Sequence, residues 1–247
     1  MRSYRLVGAY LVLVGATLLL LGLLLTGIVV HSALGISCLI MGVTLLLIPF
    51  EERWRAASRA LAMMLMDSYA NMERLLKELD LRGPAMYARM RVGGFEGVRA
   101  LVSRGEVNPP SSDVSGLLYP GGGSYAVVLV PPGYTLLAYA RDRGLAPPSG
   151  DVATLEALLN ACLVDVAEVC ESVLVKPAGE ELVVSVNGCL EDVLNVAEPY
   201  PRAKSCLGSP YASIAALMAS YVLGAGVRVL SENREGSRLV VRLRLYE

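Results

Sequence analysis

The chain has 247 residues, of which 54% are hydrophobic, with a net charge of −1 and a mean hydropathy of +0.52. All 23 acidic residues and 20 of the 22 basic residues lie after position 50, so the chain beyond that point carries a charge of −3. Because nucleic acids are bound through a basic surface that neutralises phosphates, this balance argues against a nucleic-acid partner.

The hydrophobic residues are concentrated at the N-terminus, where residues 6–50 include no Asp, Glu, Lys or Arg. A bilayer core of about 30 Å takes roughly 20 helical residues, so this stretch is too long for one transmembrane helix and suits two. Polar and small residues interrupt the leucine-rich run at 27–32, which predicts helices near 6–27 and 33–49. Residues 1–50 are therefore predicted to form a transmembrane hairpin in the lipid bilayer.

Glycine recurs at a seven-residue interval in both predicted helices. The first helix carries Gly8, Gly15 and Gly22, and the second carries Gly35 and Gly42. Small residues at this spacing line one stripe of a helix and let two backbones approach closely, which drives helix association in lipid. These five glycines are the predicted helix-packing positions.

Basic residues flank the hairpin at its two outer ends and are absent from its turn; they are Arg2, Arg5, Arg53, Arg55 and Arg59. The positive-inside rule then places both termini in the cytoplasm of a two-helix protein of the cell membrane. On the same side an aromatic belt is predicted from Tyr4, Phe50 and Trp54. A cleaved signal peptide is the alternative, but the apolar stretch is too long for one and a second span follows at once.

Residues 51–81 are predicted to form one amphipathic juxtamembrane helix. Its apolar residues follow alternating three- and four-residue steps: Ala62, Leu65, Tyr69, Met72, Leu76 and Leu79. This seam packs either on the chain's own domain or on a second copy in a coiled coil. Because the seam is shorter than three heptads, we expect packing on the chain's own domain.

Residues 82–247 are predicted to form a cytoplasmic α+β domain, whose first part alternates strands and loops. In order these are two strands within 86–102 around a Gly-rich turn at 93–97, a Pro-, Gly- and Ser-rich loop at 104–124, a strand at 126–130 and a short helix at 134–143. Because a further loop follows, we place an alternative sub-domain boundary near 144–151.

The last hundred residues repeat the order helix, strand, strand. The predicted elements are a helix at 152–171, a hairpin of strands at 173–176 and 182–186, a helix at 210–223 and a hairpin at 227–246. Ser209-Pro210 is a good N-cap followed by proline at the first helical position. The predicted fold class is therefore an α+β membrane protein with repeated helix–β-hairpin units. The uncharged segment 209–227 is expected to be a core helix, since it is too short and too polar for a third span.

Residue content excludes several common active sites. His31 is the only histidine and lies in the predicted hairpin turn, so the domain contains neither a Ser-His-Asp or Cys-His site nor a His-ligated zinc. The run Gly121-Gly122-Gly123-Ser124 has no following Lys-Ser or Lys-Thr and leads into a strand, which argues against a phosphate-binding loop. We assign no catalytic residue, no metal and no cofactor.

The domain has four cysteines, Cys162, Cys170, Cys189 and Cys206, and none of them forms a C-x-x-C pair. Cys162 and Cys170 are predicted core residues. Free thiols are expected in the cytoplasm, with a Cys189–Cys206 disulfide as the alternative. Cys206 precedes a predicted helix N-terminus, where the helix dipole lowers a thiol pKa, so it is the candidate reactive thiol, with a structural role as the alternative.

The final strand alternates between apolar and basic residues. Leu239, Val241, Leu243 and Leu245 point one way, while Arg238, Arg242 and Arg244 point the other way and are joined by Arg228 from the strand before. This face binds an acidic partner or anionic lipid headgroups, or else it is a solvated face whose arginines pair with nearby glutamates.

The order of these features resembles an uncharacterised family of archaeal membrane proteins. The resemblance depends on the two apolar helices, the exit Pro49-Phe50-Glu51-Glu52, the segment Val128-Leu129-Val130-Pro131-Pro132-Gly133 and the helix entry Cys206-Leu207-Gly208-Ser209-Pro210. It implies a membrane protein with a cytoplasmic α+β domain, and it implies no activity. The C-terminal helix and hairpin are also similar to small-molecule-sensing domains of the vinyl-reductase type, whose usual paired cysteines are absent from 227–246.

Three hypotheses for the function follow. The first is a non-enzymatic, membrane-anchored binding or scaffold module that contacts a protein partner or assembles as a homo-oligomer. The second is a membrane-bound sensor of a small ligand, which a deep apolar pocket would favour. The third is an enzyme that uses Cys206 or a pair of carboxylates, which requires that thiol to face a cleft.

Overall fold

A computed structural model describes residues 3–26, 29–47, 50–105, 114, 116–121 and 124–246. The chain divides into two compact units, Met1–Ala56 and Ala57–Glu247, which are described separately. The predicted α+β class is confirmed: the chain combines apolar helices with one large antiparallel sheet.

The first unit contains two long helices that pack side by side. Helix α1 spans Ser3–Leu20 and continues as a π-helical segment over Leu21–Thr26, and helix α2 spans Val29–Leu47. They run antiparallel, since Gly8 faces Gly42 and Gly15 faces Gly35. The second helix begins earlier than predicted, so His31 lies in its first turn and not in a loop.

Several predictions for this unit fall on parts of the chain outside the described residues. These are the two ends of the predicted hairpin, 1–2 and 48–49, and the start of its predicted turn, 27–28. The side chains of the predicted aromatic belt, Tyr4, Phe50 and Trp54, also lie outside what the structure describes.

Helix α3 spans Phe50–Glu78, as predicted for 51–81. Within the second unit its seam is buried on the chain's own domain, with Ala62, Tyr69 and Leu76 at most 6% exposed. The Tyr69 hydroxyl donates a hydrogen bond to the Gly208 carbonyl at 2.9 Å, which fixes the helix on the core. Leu79 is the exception in the predicted seam: it follows the last helical residue and is 38% exposed.

Among the described residues, eight strands form one antiparallel sheet of order β3-β4-β2-β1-β7-β8-β6-β5. The strands are β1 Met86–Val92, β2 Phe95–Ser103, β3 Leu118–Gly121, β4 Ser124–Leu129, β5 Ser172–Ala178, β6 Glu181–Asn187, β7 Gly226–Glu235 and β8 Arg238–Tyr246. The predicted loop at 144–150 joins two parts of this single sheet, so the segment 144–151 does not separate two domains.

The main core lies between one face of the sheet and a layer of helices. These helices are α4 Tyr134–Asp142, α5 Val152–Asn160, α6 Glu191–Leu194, α7 Pro201–Leu207 and α8 Pro210–Leu223. The Ser209 hydroxyl caps α8 by accepting from the Ala212 N–H, as predicted. The apolar stretch Pro201–Leu223 is 89% buried, so the expectation of a core helix there is confirmed.

A smaller apolar cluster lies on the opposite face of the sheet, over β1, β2 and β4. Its buried members are Met86, Ala88, Met90, Leu101, Val114, Ala126 and Val128. Alternate residues of each strand point away from the helices, so the opposite face of β5, β6, β7 and β8 is more exposed. It carries charged side chains such as Lys176 and Arg242 together with apolar ones such as Leu174 and Val240.

One predicted boundary of the second unit is wrong, and three of its elements were not predicted. The helix predicted at 152–171 ends as an α-helix at Asn160, continues as a π-helical segment over Ala161–Val166 and stops there. Strand β3 lies inside the segment predicted to be a loop. Helices α6 and α7 lie in a segment where no element was predicted.

Candidate functional site

The five predicted packing glycines lie together at the contact between α1 and α2. A Cβ atom built on Gly15 would lie 2.8 Å from the Gly35 carbonyl oxygen, and one on Gly42 would lie 2.8 Å from the Gly8 carbonyl oxygen. A Cβ on Gly22 would lie 2.8 Å from a backbone nitrogen of α2. Only glycine permits two helix backbones to approach this closely.

The outer surface of the same helix pair is apolar. Large apolar side chains on it are more than half exposed, among them Leu6, Tyr10, Leu13, Leu23, Val30, Ile40 and Met41. Only 17% of the stretch Leu6–Leu23 is buried, and α2 contributes a second, slightly shorter apolar stretch at Val30–Leu46. By length and composition, Leu6–Leu23 and Pro201–Leu223 are the described helices that are long and apolar enough to cross a membrane.

The four predicted arginines lie on the open face of β7 and β8, which we call the arginine face. Arg228 of β7 lies directly opposite Arg244 of β8 in the antiparallel register, so the two strands bring these side chains together. Their guanidiniums lie 5.0 and 5.6 Å from the centre of the Tyr246 ring. Like charges directly opposite each other disfavour strand pairing, and stacking of both on one ring offsets part of that repulsion.

Two carboxylates lie near one end of the arginine face. Arg244 contacts the Glu180 carboxylate at 3.4 Å and has Glu181 as its cross-strand neighbour on β6. Arg242, the exposed arginine in the middle, has Val183 and Ser231 as its cross-strand neighbours. In the described part of the sheet, therefore, no carboxylate lies directly opposite Arg242.

The candidate thiol Cys206 is a core residue, which is a correction of its predicted position. It precedes α8, which begins at Pro210, as predicted, but it lies in the last turn of α7 and is only 2% exposed. Burial raises the pKa of its thiol, and the C-terminal end of a helix also disfavours a thiolate. All five cysteines are free thiols, so the alternative Cys189–Cys206 disulfide is not formed.

Two of the surface pockets formed by described residues are considered as ligand sites. The larger, of about 500 Å³, is an open groove between α7 and β7 where Lys204 pairs with Glu198 at 2.6 Å. The smaller, of about 210 Å³, lies where β1 and β2 meet α4 and α8. Both have polar and charged walls, and neither is the deep apolar cavity that would favour a ligand sensor.

The smaller pocket contains residues that the sequence did not single out. Arg89 and Arg141 both stack on Tyr221, with their guanidiniums 4.8 and 5.7 Å from the ring centre. These residues come from β1, α4 and α8, so no local pattern in the sequence connects them. Arginine is common in this chain, at 19 of the 22 basic residues, and such an excess does not identify a position.

Known proteins give no further indication of the function. No family model, no curated protein and no solved structure matches this chain. The resemblance to an archaeal membrane-protein family therefore stays a prediction. Within the described part of the chain no three His, Cys, Asp or Glu side chains converge as metal ligands would.

Proposed function

We propose that this protein is a membrane-anchored binding module, in which the α1–α2 pair spans the bilayer and residues 57–247 contact a partner protein at the cytoplasmic surface. The observation that carries the proposal is the distribution of side chains on the helix pair. Glycines lie at the contact between the two helices and large apolar residues lie on the outside. A pair of helices packed in water would instead bury its large apolar residues at the contact.

The exposed residues of α1 and α2 favour lipid as the surrounding solvent. Each leucine-sized side chain left in water forgoes about 1.5–3 kcal/mol of burial free energy, and more than ten such residues are exposed on the pair. The backbone groups of both helices are satisfied within the helices, as a bilayer core requires. Helix α8, which also contains no charged residue, is covered by protein instead.

The orientation follows from the flanking charges. Arg2 and Arg5 precede α1, and Arg53, Arg55 and Arg59 follow α2. The positive-inside rule supports cytoplasmic termini and a cytoplasmic location for residues 57–247.

The arginine face is the proposed partner-binding surface, and an acidic protein is the proposed partner. Arg242 is its central residue, because it is exposed and has no carboxylate directly opposite it among the described strands. An acidic side chain from a partner would supply the bidentate hydrogen bonds that a guanidinium favours. A second copy of the chain is the alternative partner.

Fractionation of native membranes tests the anchor. The full-length protein is expected to stay in the membrane pellet after extraction with alkaline carbonate, and protease added outside intact cells is expected to leave residues 57–247 uncut. Protease added to inverted vesicles should digest them. Release of the protein by carbonate, or digestion from the outside, would overturn the anchor or its orientation.

Site-specific crosslinking tests the partner surface. A photoreactive residue at Val240, which lies between Arg238 and Arg242 on the arginine face, should give a crosslinked product in native membranes. Arg242→Glu should reduce its yield several-fold, while Arg74→Glu on the exposed side of α3 should not. Recovery of only the uncrosslinked chain would count against a partner at this face.

A further inference from the structure

The smaller pocket holds two guanidiniums that converge on one aromatic ring. Its walls are formed by Arg89, Glu96, Gly97, Arg141, Pro148 and Tyr221. Tyr221 is 6% exposed and belongs to the last turn of α8, so its ring is a fixed platform. The arginines that stack on it are thereby held at the pocket, with less side-chain entropy to lose on binding a ligand.

Arg89 is only partly used by the fold. It is half-buried, and its Nη2 atom donates to both the Pro148 carbonyl at 2.9 Å and the Tyr221 carbonyl at 3.1 Å. The bond to Tyr221 caps the C-terminal end of α8, and the two bonds together set the plane of the guanidinium. Among the described residues Nε and Nη1 have no bond to the protein, so they remain as donors for a ligand.

Arg141 adds a second positive charge without a matching carboxylate. Within the part of the chain that the structure describes, neither Arg89 nor Arg141 forms an ion pair. Both guanidiniums line the same small pocket, so an anion bound there would be attracted by two positive charges. The arrangement is therefore more favourable with an anion than without one.

Glu96 is the carboxylate that lines this pocket. In the register of β1 and β2 it lies directly opposite Arg91, so its charge is placed against that arginine. Because its negative charge lies at the pocket wall, Glu96 still repels an anion and lowers the anion affinity below what the two arginines alone would give. Removing this charge is consequently expected to tighten anion binding.

We propose that this pocket binds a small oxyanion, namely inorganic phosphate or the phosphomonoester group of a larger molecule. A volume of about 210 Å³ is below the 300–1,000 Å³ typical of sites for whole organic ligands, and it suits one such group. A phosphate carries the charge and the paired oxygen atoms that guanidiniums bind best. This site is independent of the proposed anchor and of the arginine face.

Thermal unfolding of the full-length protein in a detergent free of phospholipid tests the site. Inorganic phosphate should raise the midpoint of unfolding in a saturable way, and sodium chloride at matched ionic strength should not. Arg141→Gln should weaken the apparent phosphate affinity about tenfold or more, as expected for the loss of one charge-assisted contact. Arg89 is not varied, because it also caps α8.

Two further variants separate a specific site from general charge screening. Arg143→Gln is the matched control, because Arg143 follows Arg141 by two residues at the end of α4 and also stacks on a tyrosine, Tyr139 at 5.1 Å, but does not line the pocket. It should leave the phosphate affinity unchanged, and Glu96→Gln should strengthen it. Equal effects of phosphate and chloride, or equal losses in the Arg141 and Arg143 variants, would overturn the proposal.

The source of the phosphate group is distinguished in lipid nanodiscs. If the group belongs to a lipid, discs containing phosphatidic acid should abolish the response to added phosphate that discs of phosphatidylcholine alone retain. If the group is a soluble anion, both discs should give the same response. Either result supports the site, whereas an absent phosphate response in detergent overturns it.

Discussion

At the scale of single residues, the buried carboxylate of Glu73 is the clearest charged contribution to the core. It is 5% exposed, contacts the Lys77 ammonium at 2.9 Å and accepts the Ala203 N–H at 2.7 Å. Ala203 is in the first turn of α7, so Glu73 caps that helix from α3. Burial disfavours the carboxylate, but these bonds outweigh it and hold the pKa of Glu73 below its ordinary value.

We expect Glu73→Gln to destabilise the protein by about 1–3 kcal/mol at neutral pH, because it replaces a charged acceptor in a buried site. A carboxylate whose pKa is lower in the folded than in the unfolded protein stabilises the folded state at pH values above its unfolded-state pKa of about 4.3. This stabilisation is lost as the pH falls through the folded-state pKa. The difference between wild type and variant should therefore shrink below about pH 4. Thermal unfolding followed by circular dichroism at a series of pH values measures this difference in stability.

The exposed residue Glu78, on the same helix, provides the control. Glu78→Gln should change the unfolding midpoint little at any pH. A Glu73 variant that matches it at neutral pH would contradict a capping role.

The thiols give a second prediction at this scale. Burial raises the pKa of Cys206, and it raises those of Cys162 and Cys189 to about 11 and that of Cys170 to about 12. In a Cys38→Ser background, a water-soluble thiol reagent at neutral pH should therefore label none of the four at an appreciable rate while the protein is folded. All four should react after unfolding in detergent. Rapid labelling of Cys206 in the folded protein, located by mass spectrometry, would restore it as a reactive thiol.

At the scale of elements, the contact between α1 and α2 depends on the absence of side chains. Gly15→Ala places a Cβ within 2.8 Å of backbone atoms of Gly35 and Leu39, which cannot move aside as a flexible side chain can. We expect a loss of about 1–3 kcal/mol, the usual effect of overpacking, seen as a lower midpoint of thermal unfolding in detergent. Ala9→Leu, a larger change at an exposed position of the same helix, should have little effect.

The elements predicted correctly are those whose sequence carries a local signal. The seam of α3, the turn glycines of the hairpins and the Ser209-Pro210 start of α8 each act within a few residues. Strand β3 was missed because Pro120 and Gly121 are typical of loops, and an edge strand tolerates both. Helix α5 was extended too far because apolar residues continue at helical spacing beyond Val166, where the backbone turns at Glu168 with φ of 50°.

The candidate sites, too, were predictable from the sequence only where a single element carries the pattern. The alternation along β8 was sufficient to identify the arginine face, since one strand supplies most of it. The local environment of Arg242 depends on the pairing of β8 with β6 and β7. The smaller pocket depends on four separate elements, β1, β2, α4 and α8. Such long-range pairings leave no local pattern in one sequence.

At the scale of the whole molecule, two apolar segments of similar length have opposite surroundings. Leu6–Leu23 is 17% buried and Pro201–Leu223 is 89% buried, although both pass the same test of length and composition. The first carries glycine on its contact face and leucine outside, while the second has alanine, serine and tyrosine surrounded by other elements. The first segment is both the more hydrophobic and the less buried of the two, as expected of a membrane anchor compared with a core helix.

This contrast predicts the labelling pattern of the full-length protein in vesicles that contain a photoactivatable hydrophobic probe. Peptides from 6–23 and 30–46 should be labelled, because their outer side chains would contact acyl chains. Peptides from 210–223 should remain unlabelled, because the sheet and its helices cover them. In sodium dodecyl sulfate, where the core is opened, both regions should react, which controls for intrinsic reactivity. Labelling of 210–223 in vesicles at the level of 6–23 would show that α8 also meets lipid, and the assignment of anchor and core would then have to be reversed or extended.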